Sequence, residues 1–450
     1  MRASVERFAT SEHRTRWLWA IIVVAIAARV GWSAWIAHAH PAAVTSVDTA
    51  EYVGPARALI DAGRFSLSAH DPTPMFLRTP GYPAVLAAIL WLTNSQWAIS
   101  PIQAALSLLT VVVTVLVGRR MIGPTAGLVA GVVVALDPLQ FALSGTILTE
   151  SLTSLVMIGL VAVGATVFAR RPERVHPAFV FALGALIALA TMFRPTTWFY
   201  PVVVLVLLAV RFRRRRPLAV LVLLLVFALP IVAVVGAWQV HNHYAVNSWQ
   251  VSGSAGVTLY CYNAAAVQAK VTGRGIEGVR RELGCDRGGW QNLKTACPPF
   301  WNCNVAHPLA NGPGFDEMSS KGLNILERHP VETTEVVLQG VARELGGPGT
   351  DTVRRFLHVR SSVALIVALS AWNVLVWALA VVGAVVGLRS RLRMFWLFVI
   401  SLVAYVIVIS AGAESGARFR TPIVPLLALL AAQGLRFIVA SARDRQGLAA

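Results

Sequence analysis

The sequence predicts an all-α polytopic membrane protein of about ten transmembrane helices, because runs near the roughly 20 apolar residues that cross a bilayer recur along it. Hydrophobic residues make up 56% of the 450, and charged residues only 13%. Mean hydropathy is +0.65. The basic residues behind the net charge of +18 sit in short clusters between apolar runs, as lysine and arginine do in cytoplasmic loops. That placement excludes a soluble nucleic-acid-binding module, which would gather its basic residues on one folded face. No internal repeat, heptad run or low-complexity tract interrupts the pattern.

Taken in order, Arg2, Arg7, Arg14 and Arg16 precede a first span at Trp17–Ala37, which places the N-terminus in the cytoplasm. The Ala37-His38-Ala39 triplet resembles a signal-peptidase site, but the apolar run is too long for a signal peptide and reads as an uncleaved anchor. Arg29 within it has two readings: snorkelling to the interface, or facing a bundle interior and an anionic ligand. An acidic loop, residues 38–97, follows and carries Asp48, Glu51, Asp61 and Asp71. Its Tyr82–Leu92 run is too short to cross, so it reads as a juxtamembrane helix.

That assignment fixes the parity of everything after it. With spans at Ala98–Val117 and Ala126–Leu136, the Arg119/Arg120 turn falls inside. A second outer loop then runs from Asp137-Pro138 to Thr149-Glu150. Further spans at Ser151–Ala169, Pro177–Phe193, Trp198–Val210 and Leu218–Trp238 place the clusters at Arg170/Arg171/Arg174 and Arg213–Arg216 inside as well. The polar stretch 239–360 falls outside. Spans at Ser361–Leu388, Met394–Gly412 and Pro422–Ala440 close the bundle, with the C-terminus inside. Three units result: a transmembrane module over 1–238 that holds the chemistry, an extracytoplasmic insertion or lid over 239–360, and C-terminal helices with a basic tail over 361–450.

All four cysteines, Cys261, Cys285, Cys297 and Cys303, lie in that insertion. An even count in one outer segment points to disulfides in an oxidising compartment. Cys297–Cys303 is suggested by proximity, with unpaired thiols as the alternative. No pair has the two-to-four-residue spacing usual for zinc ligands. His241 and His243, beside a span end, read as structural rather than as a metal site.

The polar residues sort by side. Cytoplasmic loops carry arginine and little else, whereas the outer loops carry Asp48, Glu51, Asp137, Glu150, Arg78, Arg194, Arg418 and Arg420. Acids and arginines on one membrane face, beside long apolar helices, suit an anionic head group on a lipid tail. Arginine forks onto phosphate oxygens, and a carboxylate can take a proton from a hydroxyl. Plainer readings stand beside these. Asp48 could cap the next helix, Glu51 and Glu150 could be first-turn charges, and Arg194 could be an interfacial anchor. Arg418 and Arg420 resist a plain reading, because arginine in a short outer loop runs against the positive-inside bias.

The order of these motifs resembles that of the GT-C membrane glycosyltransferases. Asp48 and Tyr52 in the first outer loop are followed by Arg78-Thr-Pro-Gly-Tyr-Pro83, by Gly118-Arg-Arg-x-x-Gly123, and by Glu150 ending the second outer loop. The nearest branch is the glycosyltransferase-39-like group, which includes protein O-mannosyltransferases and the aminoarabinose and galacturonic acid transferases of lipid A. The resemblance implies a GT-C-like fold and an enzyme of the inner (plasma) membrane with its active site outside. It also implies inverting transfer of a hexose or pentose from a polyprenyl-phosphate donor to a glycolipid, cell-envelope polysaccharide or protein. Asp48 and Glu150 match the family's catalytic acids; Glu51, Tyr52, Arg78, Tyr82, Arg194, Arg418 and Arg420 are expected at the substrate. No fixed cofactor is implied, and a divalent metal ion is left open. A transporter or flippase of a lipid-linked saccharide, or a catalytically dead scaffold, is the alternative; repeated halves and midplane charges would favour transport.

Overall fold

The computed structural model describes residues 2–285 and 310–448, with side chains described from Thr15 to Asp444 within those limits. Among the described residues the regular structure is helical, with one isolated bridge between Ser66 and Pro74. Every apolar run that the sequence marks as a span is helix. Eight are long and apolar enough to cross a membrane: Thr15–Ala39, Ile99–Met121, Glu150–Ala169, Pro195–Phe212, Pro217–Val246, Val363–Arg389, Arg393–Ser410 and Ala417–Asp444. Pro177–Phe193 is a shorter helix of 17 residues, about 25 Å at 1.5 Å per residue. The chain is a multi-pass membrane protein.

The Glu150–Ala169 helix is the centre of the bundle. It packs against Ile99–Met121, Pro177–Phe193 and Arg393–Ser410. Its Gly164 lies under the ring of Phe398, where a side chain would collide with the aromatic carbons. Because its body is gripped on several sides, its first residue, Glu150, has a fixed position.

The second outer loop expected from Asp137 to Glu150 is itself structured. Residues 138–145 form a helix, Pro138–Gly145, bent by 56° from Pro124–Leu136, and its Leu139, Ala142 and Leu143 are buried. Pro138 cannot continue the preceding hydrogen-bond ladder. Asp137 restarts one, because its Oδ1 accepts from the Gln140 N–H at 2.9 Å while its Oδ2 accepts from Trp372 Nε1 at 2.9 Å. The break also accounts for Arg29, which faces the bundle interior, as one of its two readings expects, rather than snorkelling. The side chain is fully buried. Its Nη2 donates to the carbonyls of Val134 (3.2 Å) and Ala135 (2.9 Å), and its Nη1 donates to Ser107 Oγ at 3.0 Å. Those carbonyls lose their helical partners where the ladder stops, and Arg29 supplies donors in their place.

Gly81–Thr93 is the short apolar helix that its length predicts. Beyond the bundle, the stretch 254–357 adds helices including Ala265–Thr272, Ile276–Glu282, Gly312–Arg328, Pro330–Gly346 and Thr350–Leu357. They close over the first outer loop. Met75, Phe76 and Leu77 share an apolar cluster with Val257, Tyr260, Phe315 and Met318, and Ser252 Oγ donates to Leu77 O at 2.6 Å. Cys261 and Cys285 form a disulfide; Cys297 and Cys303, and the pairing suggested for them, lie outside the described residues. His241 stacks on Trp238 and His243 on Trp249.

Candidate active site

The site is built on three segments that the bundle brings together. The first is the start of helix Thr49–Ala62, where Asp48 occupies the N-cap position but its side chain makes no cap hydrogen bond. It turns instead toward arginine, with Oδ1 2.9 Å from Arg78 Nη2 and Oδ2 3.4 Å from Arg418 Nη1. One turn on, Glu51 is buried, and its Oε2 lies 2.6 Å from Arg78. A single arginine therefore holds two acids, and its guanidinium also lies over the ring of Tyr52, 4.9 Å from the centroid.

The Arg78-Thr-Pro-Gly-Tyr-Pro motif explains how Arg78 gets there. Gly81 opens the next helix against the backbone of residues 192 and 193, where an added Cβ would lie 2.5 Å from Met192 O. Only glycine lets the two chains approach that closely. The contact joins Arg78 to the second segment, the end of Pro177–Phe193. There Arg194 follows, its Nη1 3.7 Å from Glu150 Oε1 and its guanidinium 5.0 Å from the Phe419 centroid. Glu150 is almost wholly buried, and its Oε2 has no hydrogen-bond partner among the described residues. A buried carboxylate oxygen without a donor is costly, so this atom is suited to receive one from a ligand.

Glu150 is positioned by residues that the sequence gives no reason to choose. Gln103 Nε2 donates to the carbonyls of Thr146 (2.8 Å) and Leu148 (3.3 Å), while its Oε1 accepts from Tyr82 Oη at 2.8 Å. Thr49 Oγ1 donates to Ile147 O at 3.3 Å, tying the Asp48 turn to the turn before Glu150.

The third segment is the loop after Arg393–Ser410. It brings in Arg418, Phe419 and Glu414, which line one pocket of about 150 Å³ with Asp48, Tyr52, Arg78, Glu150 and Arg194. Glu414 is the functional candidate that sequence reasoning missed. Burial, reinforced by Asp48, raises its carboxyl above the usual range, against the opposing pull of Arg418, Arg78 and Arg280. Tyr262 beside it is pushed up to about 12 by burial and by Glu414.

Two expected members are not there. Arg420 is buried elsewhere, its Nη1 donating to the carbonyls of Glu344 (2.7 Å) and Gly347 (2.6 Å). It ties the insertion to the bundle rather than facing a ligand. Tyr82 is fully buried behind Tyr52, ring to ring at 4.9 Å, and spends its hydroxyl on Gln103. As for a metal, no group of three His, Cys, Asp or Glu side chains able to hold one occurs among the described residues. The pocket's Asp48 and Glu150 are each opposed by arginine.

Comparison with known proteins bears on the fold. Residues 77–238 match the family model described as dolichyl-phosphate-mannose-protein mannosyltransferase. No curated protein sequence matches the chain. Among solved structures, the archaeal oligosaccharyltransferase AglB of Archaeoglobus fulgidus, in complex with an inhibitory peptide and a dolichol-phosphate, superposes with a TM-score of 0.55 at 11% identity, over 96% of this chain and 51% of that one. The apo form of the Archaeoglobus fulgidus oligosaccharyltransferase gives 0.53 at 11% identity, over 96% and 52%. ArnT of Cupriavidus metallidurans bound to undecaprenyl phosphate gives 0.41 at 16% identity, over 94% and 78%. The chain spans about half the length of the archaeal structures it matches. The fold is that of the GT-C membrane glycosyltransferases.

Proposed function

We propose that this chain transfers a sugar from a polyprenyl-phosphate donor to an acceptor on the outer side of the plasma membrane, with inversion at the anomeric carbon. The observation that carries the reading is the carboxylate of Asp48. It stands where it would cap a helix, yet it faces a pocket with three arginines, Arg78, Arg194 and Arg418, and the buried Glu150.

In this reading the lipid phosphate sits against Arg418 and Arg194. An acceptor hydroxyl approaches the anomeric carbon from the opposite face. Its oxygen bonds to that carbon as the bond to the phosphate oxygen breaks. Asp48 takes the hydroxyl proton, the role a base must fill in an inverting displacement. The oxocarbenium-like charge and the departing phosphate are stabilised by fixed groups that need no reorganisation. Arg418 couples the two ends. It shares its charge with Asp48 across 3.4 Å, and a phosphate drawing it away frees Asp48 Oδ2 for the proton. Glu150 Oε2, with no partner of its own, accepts from a sugar hydroxyl and fixes the ring. Glu414 is the proton's next carrier. The counter-charge is arginine throughout.

The acceptor is a glycolipid, an envelope polysaccharide or a protein. Both termini lie in the cytoplasm, as loop-charge parity requires. Deleting the gene and profiling the envelope glycoconjugates tests the reading. One saccharide should lose a single residue while its lipid-linked donor accumulates. An unchanged profile, or loss of whole lipid-linked units from the outer leaflet as a flippase would cause, overturns it.

A further inference from the structure

Two hollows lie apart from this pocket, around the helix Thr350–Leu357. On one side of that helix an apolar hollow of about 610 Å³ is lined by Ile21, Val24, Ala28, Leu136, Val353 and Leu357. On the other side is a hollow of about 900 Å³ lined by His40, Arg354, Arg355, His358 and Arg360. The helix is amphipathic in the required sense. Val353 and Phe356 are buried, whereas Arg354 and Arg355 are exposed.

We propose that these two hollows form one binding site for an anionic membrane lipid, its chain in the apolar groove and its phosphate head group on the arginine rim. Charge complementarity chooses the occupant. Three arginines face a single acid, Asp351, which lies 3.6 Å from Arg354 and is 97% exposed. By parity these arginines lie on the side where the positive-inside bias disfavours them. A bilayer-facing apolar groove alone would take any lipid; the rim selects a negatively charged one.

The dimensions agree. Ala28, in the groove, and Ala39, at the rim, are on the same helix. At 1.5 Å per residue the groove's near end is about 16 Å and Ile21 about 27 Å from Ala39 along that helix, so a chain entering from the rim reaches the groove at about the depth of one leaflet of the roughly 30 Å core. The rim is also held in shape. Arg355 Nη2 donates to Ala42 O at 2.8 Å, His40 stacks on His358 with centroids 4.0 Å apart, and Trp32 Nε1 donates to Phe356 O at 3.1 Å. His358 ends the helix in the left-handed region, with φ of 54°, a conformation that a non-glycine residue adopts only where its surroundings impose it. Phe356 packs on Gly145, near Glu150. The lipid would thus rest against a helix that also supports the catalytic turn, yet the proposal stands on the groove and rim alone.

The test titrates purified full-length protein in detergent with phosphatidylglycerol or phosphatidylcholine and counts retained lipid by native mass spectrometry. Phosphatidylglycerol should bind at least about tenfold more tightly. Replacing two of the three rim arginines, Arg354→Gln with Arg360→Gln, should cost on the order of tenfold in phosphatidylglycerol affinity, since each near-surface arginine contributes a few-fold. Ala28→Phe, which fills the groove far from the rim, should weaken phosphatidylglycerol binding several-fold with every arginine in place. Equal retention of the two lipids, or wild-type phosphatidylglycerol binding by the double arginine variant, overturns the head-group assignment. Wild-type binding by Ala28→Phe overturns the groove.

Discussion

Arg78 is where structure and chemistry are hardest to separate, and two substitutions separate them. Arg78→Met removes the cation 2.6 Å from Glu51, whose side chain is only 5% exposed. Removing one partner of a buried pair strands the other charge and costs about 3–5 kcal/mol. At about 1.4 kcal/mol per tenfold, that is a factor of at least about 100 in the unfolding equilibrium. Arg78 is itself partly exposed, so the lower end of the range applies. Tyr52 also loses the guanidinium over its ring, worth about 0.5–1 kcal/mol. Adding Glu51→Gln removes the buried charge that Arg78 had balanced, and most of the loss should return. Transfer should not return, because Asp48 still lacks the arginine that orients it. Thermal unfolding in detergent, followed by tryptophan fluorescence, measures the first effect; single-turnover transfer in proteoliposomes measures the second. If Arg78→Met unfolds like wild type, or if Glu51→Gln restores transfer together with stability, the reasoning about this arginine is wrong.

Three further outcomes are expected. Arg418→Lys should weaken donor use at near-normal stability, whereas Arg420→Met should lower the unfolding temperature and leave donor affinity close to wild type; binding of a polyprenyl phosphate to each folded variant checks both. Glu414 has a raised pKa, so its favourable contribution to stability is complete below its unfolded value and is lost as pH rises through the folded one. Glu414→Gln should therefore flatten the decline in unfolding temperature on that side and move the acidic limb of the transfer profile, as parallel pH series would show. Cys261→Ser with Cys285→Ser should cost about 3 kcal/mol in the loop-entropy account for a separation of 24 residues, read as a lower unfolding temperature without reductant.

The helices were legible because a bilayer leaves little choice. Backbone groups must be satisfied within each segment, so long apolar runs become helices. The short run Tyr82–Leu92 was legible from length alone. The break at Asp137 was half visible: Asp-Pro marks a stop, but a buried helix after it differs from a loop only through packing. Arg29 shows the same limit. Neither reading of a lone intramembrane arginine included capping another helix's carbonyls, because those carbonyls become free only once the break is known. At the site, the sequence pointed to acids and arginines of the outer face, and the structure gathers Asp48, Glu51, Tyr52, Arg78, Glu150, Arg194 and Arg418. The positive-inside argument could not tell Arg418 from Arg420, since both break the rule equally. Their helical phase decides it, turning one into the pocket and the other onto backbone carbonyls. Glu414 was overlooked as one acid in a short loop. Its meaning comes from the fold, which brings that loop to Asp48; Arg418 and Asp48 meet across 370 residues of sequence.

The measurement closest to the central claim is transfer by Asp48→Asn. Asparagine is nearly isosteric and serves almost as well as an N-cap, so folding and insertion should survive, as Asp48 makes no side-chain cap bond to lose. With the base gone, transfer from a polyprenyl-phosphate sugar should fall by about 10²-fold or more, while binding of the lipid phosphate is retained. Near-wild-type transfer by correctly inserted Asp48→Asn would contradict the account and move the search for the base to Glu414 and Glu150.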